Sequence, residues 1–239
     1  MKYLDLTFAD GARNLACDEA LLEFFEQAKD GAELLRLWQP ANYFVVLGHG
    51  NPWRTEVAIA ACIADGIPIL RRCSGGGTVL QGPGCLNYSL ILRQDNFSSD
   101  QVQAAFDLVL SRHRRCLEAL GVGPVSVQGL SDLTLGGRKF SGNAQYRKRD
   151  YVLVHGTFLL QFDLARIGKY LPMPSKQPDY RQERSHGDFL VNAPLYPTTL
   201  SERLRLAWRA DETFTAIPHE TIDRLMGERY GRAAWNEKF

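Results

Sequence analysis

Two glycine runs, each set beside fixed positive charge, are the parts of this chain whose residue types could do chemistry. In Arg71-Arg72-Cys73-Ser74-Gly75-Gly76-Gly77-Thr78-Val79 the glycines follow a short apolar run, Ile67 to Leu70. Without Cβ atoms they let backbone N–H groups lie against a ligand, and the paired arginines supply cations suited to a carboxylate or a phosphate. The second run, Asp132 to Gln145, carries Gly136-Gly137-Arg138-Lys139-Phe140-Ser141-Gly142-Asn143-Ala144. A cation such as Lys139, held against both a carboxylate and an α-phosphate, stabilises the negative charge that develops when one attacks the other. Nucleotide motifs of other kinds do not fit. No Gly-Lys-Ser/Thr follows a glycine and four-residue spacer, and Gly48-His49-Gly50-Asn51-Pro52-Trp53 lacks a third glycine and puts a proline where a helix should run.

Taken in order, RRxSGGGxV, Gly84-Cys85-Leu86-Asn87-Tyr88-Ser89, GRKxSGxA and His155-Gly156-Thr157 resemble the catalytic domain of lipoate-protein ligase A and its relatives, the biotin ligases and octanoyltransferases. The resemblance runs from about Leu34 to Leu160. It implies an ATP-dependent ligase that activates lipoate or octanoate to acyl-AMP and passes the acyl group to a lysine of a lipoyl carrier domain, with ATP, Mg2+ and lipoate as ligands. It implies Lys139 as the catalytic residue. The substrate and ATP site would comprise Arg71, Ser74, Gly75, Gly76, Gly77, Thr78, Asn87, Asp132, Ser141, Gly142, Ala144, His155, Gly156 and Thr157, with Asp132 near the magnesium. His155 reads as a pocket wall rather than a general base, because no partnered nucleophile is visible beside it in the sequence. Gln81-Gly82-Pro83-Gly84 stands where many family members carry a His-Asp pair, which leaves the local turn open. A carrier-to-carrier octanoyltransferase is the alternative enzyme, and a non-catalytic adenylate- or carrier-binding subunit the alternative of another class. The transferases use a cysteine thiolate, and the last cysteine here, Cys116, precedes the GRK and HGT motifs.

Composition agrees with one enzyme domain over residues 1–239, with the accessory domain of many bacterial ligases expected on a separate chain or dispensable. Twenty-eight basic against 27 acidic residues leave a charge of +1, so neither nucleic acid nor an anionic membrane is an expected partner. The five cysteines show no CxxC spacing, and the N-terminus has no charged stretch leading into an apolar one; a cytoplasmic protein is expected. Arg112 to Arg115 reads as the solvated face of a helix, and Arg147-Lys148-Arg149 as a hairpin tip that could dock an acidic lipoyl domain.

Periodicity places an amphipathic helix over Asn14 to Ala28, with Asp18, Glu19, Glu23 and Glu26 largely off the buried face. Strands follow at Glu33 to Trp38 and Tyr43 to Leu47, a helix at Thr55 to Asp65, and strands at Ile67 to Arg72, Thr78 to Gln81 and Leu86 to Leu92. A long helix is expected from Asp100 to Leu120. Strands at Val125 to Gln128, Arg138 to Ser141, Ala144 to Arg147 and Tyr151 to Phe162 come next, and helices at Leu200 to Ala210 and His219 to Tyr230 close the pattern. Leu171 to Thr198, punctuated by prolines, reads as an irregular loop over the surface and a candidate lid. The result is an α+β architecture with mixed and antiparallel sheets flanked by helices, which the resemblance also implies as a biotin/lipoyl ligase-like fold.

Overall fold

The computed structural model describes residues 1–97 and 102–239, so the expected helix start at Asp100 lies outside the described residues. The strands are β1 (Lys2–Asp5), β2 (Leu34–Trp38), β3 (Phe44–Leu47), β4 (Ile69–Arg71), β5 (Val79–Gln81), β6 (Cys85–Arg93), β7 (Val125–Gln128), β8 (Asp132–Leu135), β9 (Arg138–Arg147), β10 (Tyr151–Leu159) and β11 (Glu212–Thr213). The helices are α1 (Gly11–Ala28), α2 (Trp53–Glu56), α3 (Ile59–Ala64), α4 (Val102–Glu118), α5 (Ile167–Tyr170), α6 (His186–Phe189), α7 (Pro197–Ala207), α8 (His219–Leu225) and α9 (Ala233–Asn236). A mixed sheet runs in the order β11-β1-β2-β6-β10-β9-β8-β7, and a small one in the order β4-β3-β5. This is the expected α+β class.

Helices cover both faces of the large sheet, because its central strands are apolar on both sides. One core gathers Leu90, Val152 and Phe158 under α4 and α7; a second gathers Ile91, Leu153 and Tyr151 under α1 and α8. The Asp10 carboxylate caps α1 by accepting from the Ala12 N–H. The acidic residues of this helix do not all stay off the buried face. Asp18 and Glu19 are buried, because α1 is covered on a second side by the C-terminal elements. Arg36 meets Asp18 at 2.6 Å, while Arg229 and Tyr230 each donate to Glu19 at 2.6 Å, so both charges are paired.

Other expectations need correction. The Thr55 to Asp65 helix is broken: Val57 turns extended to bury itself in the third core, and the Ala58 N–H donates to the Tyr170 carbonyl at 2.8 Å instead of along a helix. Arg138 to Arg147 is one strand, and Asp132 opens β8. His113 is not solvated but fully buried. The stretch from Leu171 to Thr198 is no plain surface loop. Phe189, Leu190 and Ala193 are buried, α6 and the start of α7 lie within it, and the Val191 N–H donates to the Lys139 carbonyl at 3.0 Å. The tip between β9 and β10 is Lys148 to Asp150; Arg147, expected in it, ends β9.

Candidate functional site

Alternation along neighbouring strands brings the motif residues onto one face of the sheet. One register row reads Arg36, Ser89, His155, Ala144 across β2, β6, β10 and β9; the next reads Trp38, Asn87, Thr157, Gly142 and then Asp132 on β8. The glycine loop between β4 and β5 lies against these rows. Ser74 Oγ is 2.6 Å from His155 Nε2, and a Cβ on Gly76 would come within 3.8 Å of the Ala144 methyl. Ser141 and Gly156 have the opposite parity and leave the site face. Ser141 is 1% exposed, and a Cβ on Gly156 would fall 1.8 Å from Asn143 Oδ1, so that glycine is required by packing behind the sheet.

Both arginines of the first motif hold backbone instead of reaching a ligand. Arg71 is fully buried and donates to the carbonyls of Gly48, His49, Asn51, Trp235 and Asn236 at 2.8–3.1 Å. Arg71, expected at the ligand, here braces backbone on the far side of the loop. Arg72 donates to the carbonyls of Gly75 and Gly77 and to Ser74 Oγ, so the loop's carbonyls turn inward. Among the described residues, the N–H groups of Gly75, Gly76, Gly77 and Thr78 find no protein acceptor. Outward N–H groups on a glycine loop make a concavity for an anion. Gly76 has φ +88°, open to glycine, and its carbonyl oxygen would sit 2.0 Å from a Cβ on Gly48. Gly48 is thus part of the loop's support, a role its Gly-His-Gly context does not reveal.

Asn87 and Thr157 form a closed ring with Gln81. Gln81 Nε2 donates to Thr157 Oγ1 at 2.6 Å, Thr157 donates to Asn87 Oδ1 at 2.5 Å, and Asn87 Nδ2 donates to Gln81 Oε1 at 3.0 Å. These side chains satisfy one another and make a rigid floor. Gln81, flagged in the sequence only as a departure, completes the ring.

Lys139 is aimed by a bulge. β8 and β9 pair Leu133 with Ser141 but Thr134 with Lys139, so one extra residue, Phe140, shifts the register. The lysine folds back over Gly142, where a Cβ would meet its Cε and Nζ at 2.7 Å. Its Nζ lies 2.8 Å from Asp132 Oδ1, and Tyr180, from the proline-punctuated stretch, donates to Asp132 Oδ2 at 2.7 Å. Burial and the adjacent Asp132 carboxylate push the Tyr180 hydroxyl far above its ordinary pKa, so it stays a donor. Among the described residues no group of three His, Cys, Asp or Glu side chains could hold a metal. Asp132 alone suits Mg2+, which takes one or two carboxylates together with phosphate and water oxygens, and an ion there would replace one of its two present contacts.

His155 does have a hydroxyl beside it, contrary to the sequence reading. Ser74 Oγ accepts from Arg72 Nε at 3.0 Å and lies 2.6 Å from His155 Nε2; the other ring nitrogen lies 3.6 Å from Asp18 Oδ2, an ion-pair distance rather than a hydrogen bond. Arg36, after the opposing effect of burial, lowers the Asp18 pKa. All five cysteines are free and buried. Burial raises the Cys85 thiol to about 12 and the Cys73 thiol further, so neither is a thiolate at neutral pH. Among the described residues no helix is long and apolar enough to cross a membrane.

Comparison with known proteins agrees with this geometry. At 32% identity over 210 residues the chain is similar to a Mycoplasma pneumoniae protein named probable lipoate-protein ligase A, covering 87% of this chain and 60% of that one. It spans 45–60% of the length of the first curated relatives it matches. Its fold superposes on a bipartite lipoate protein ligase of Thermoplasma acidophilum with TM-score 0.82 at 20% identity, over 99% of this chain and 95% of that chain; a T. acidophilum protein has also been solved with bound lipoic acid, at TM-score 0.81, 20% identity and 100% and 99% coverage. It superposes likewise on a lipoate-protein ligase A bound with ATP, with TM-score 0.80, 22% identity and 99% and 98% coverage. The family model for the lipoyl protein ligase A/B catalytic domain matches residues 10–192, most of the chain, so the protein belongs to that family.

Proposed function

We propose that this chain is an ATP-dependent lipoate-protein ligase. In the first half-reaction a lipoate or octanoate carboxylate oxygen attacks the α-phosphorus of ATP, and pyrophosphate leaves. In the second, the amine of a lipoyl-domain lysine attacks the acyl carbonyl, AMP leaves, and the amine gives up a proton to solvent. The observation that carries this reading is Lys139, an ammonium held on the motif face of the sheet by Asp132, whose other oxygen accepts from Tyr180. When a ligand oxyanion arrives, Lys139 exchanges Asp132 for it, and the bare backbone of Gly142 gives it room. The open N–H groups of Gly75 to Thr78 bind a second anionic group, while Arg72 keeps the loop's carbonyls from facing it. Mg2+ would be held by Asp132 and phosphate oxygens and would supply charge neutralisation at the phosphates.

Relatives whose names or titles mention lipoic acid, ATP and a lipoyl domain support the ligands and the acceptor proposed here. The bipartite T. acidophilum ligase supports an accessory function carried by a second polypeptide. The buried, protonated cysteines argue against a thioester transferase. Incubating the chain with ATP, Mg2+ and lipoate, then looking for lipoyl-AMP by mass spectrometry, tests the first half. Presenting ready-made lipoyl-AMP and a lipoyl domain tests the second. Failure of both, with a lipoyl domain that a known ligase can modify, rejects the proposal in favour of a non-catalytic binding subunit.

A further inference from the structure

On the face of the large sheet opposite the glycine loop, α4 and α7 border a cleft of about 510 Å³ lined by Arg112, Arg115, Cys116, Ala207, Trp208 and Arg209. Its three guanidiniums pair with no carboxylate among the described residues. Elsewhere Arg13, Arg36, Arg224 and Arg229 each hold an acidic partner.

The cleft is also built. Arg112 stacks with its Cζ 4.1 Å from the Trp208 ring centroid, and Trp208 is itself fixed by its Nε1 donating to the buried His113 Nε2 at 3.0 Å. The stacked guanidinium is a planar fork whose donors find no acceptor among the described residues. Arg115 is tethered by one bond from Nε to the Ser111 carbonyl at 3.2 Å, leaving both terminal amino groups for a ligand. Arg209 lies at the rim of the cleft just past the end of α7, where its φ of +49° and the bond from the Ala210 N–H to the Arg205 carbonyl at 2.9 Å close the helix. Burial and then the charge of Arg115 depress the Arg112 pKa, with Glu33 opposing and Arg209 acting in the same sense as Arg115.

We propose that this cleft is a second anion site that binds a phosphoryl-bearing small molecule, apart from the site of acyl activation. Its volume suits a small ligand, and fork-shaped guanidiniums match phosphate oxygens in pairs. A carboxylate-rich polypeptide would offer single charges spread along a chain rather than several on one centre.

Calorimetric titration with inorganic pyrophosphate and with ADP provides the test, in wild-type protein and in Lys139→Ala, which weakens the acyl-activation site. Binding that persists in Lys139→Ala and weakens by at least about tenfold in Arg112→Ala/Arg115→Ala/Arg209→Ala is the expected result. Equal affinity for the two probes assigns the phosphoryl group as the recognised element, and tighter ADP binding assigns a nucleotide. The exposed single variant Arg115→Ala, expected to weaken binding several-fold, serves if the triple variant does not fold. Unchanged binding in these variants, or capture of a poly-glutamate peptide with no response to either probe, overturns the proposal.

Discussion

Two groups of arginines in this protein share a side chain and differ in what surrounds it. Arg71 and Arg72 stand inside the molecule, where carbonyls of the glycine loop and its neighbours take up their donors. Arg112, Arg115 and Arg209 stand around an open cleft and pair with no carboxylate among the described residues. A guanidinium surrounded by inward carbonyls shapes backbone, and the site it serves then recognises anions through N–H groups. A guanidinium with free terminal amino groups recognises the anion itself. Thus the arginines of the glycine motif are the structural ones, while those of α4 and of the end of α7 are available for binding.

The largest expected effect follows from the first group. Arg71→Ala leaves a set of buried carbonyls without donors, and should lower unfolding free energy by about 3 kcal/mol or more, measured by denaturant titration. Arg112→Ala removes only a partly exposed stacked cation, and should change stability by no more than about 1 kcal/mol. Similar losses for the two variants would erase the distinction.

Lys139→Ala should retain the fold and lose acyl-adenylate formation by about two orders of magnitude, roughly 3 kcal/mol of transition-state stabilisation. Pyrophosphate release in the presence of lipoate reads this directly, and activity within a few-fold of wild type would remove Lys139 from the mechanism. The region behind the sheet is probed by pH. Burial lowers the His113 pKa to about 3, so the folded state keeps it neutral where the unfolded chain, near 6.5, protonates it. Its contribution is complete above pH 6.5 and falls as pH drops from there toward 3, with a slope of up to about 1.4 kcal/mol per pH unit. His113→Gln should flatten that part of the stability profile, and an unaltered slope would show that His113 does not control it.

A smaller effect is expected from Gly142→Ala. The added methyl meets only the flexible end of Lys139, so stability should fall by less than about 1 kcal/mol while the displaced ammonium lowers adenylation by about tenfold. Equal activity with and without the methyl would mean that the folded-back lysine is not the working one. The least change is expected for Cys73→Ser and Cys85→Ser. Apart from packing losses, adenylation should stay within a few-fold, because burial keeps both thiols protonated; an acyl-thioester trapped on either would instead identify a transferase.

Much of this was legible in the sequence. Glycines at 75 to 77, the strand alternation through Asn87 and His155, and the placement of Lys139 between glycines could be read locally, because a strand's period and a glycine's missing side chain are local properties. The family resemblance rested on the same residues. What the sequence left open was partnership. Arg71 carries the same charge whether it meets a phosphate or five carbonyls, and only the approach of Gly48, Asn51, Trp235 and Asn236 decides between them. Ser74 and His155, 81 residues apart, become neighbours because β10 lies beside the loop. Ser141 and Gly156 keep their motif positions but face away, since parity in a sheet is counted from the registers and bulges that tertiary pairing sets. The stretch from Leu171 to Thr198 reads as loop from its prolines, yet Phe189 and Leu190 anchor it and Tyr180 reaches Asp132. Residue chemistry and local period were decided by the sequence alone; which donor meets which acceptor was decided by long-range packing, where burial makes every unpaired polar group expensive.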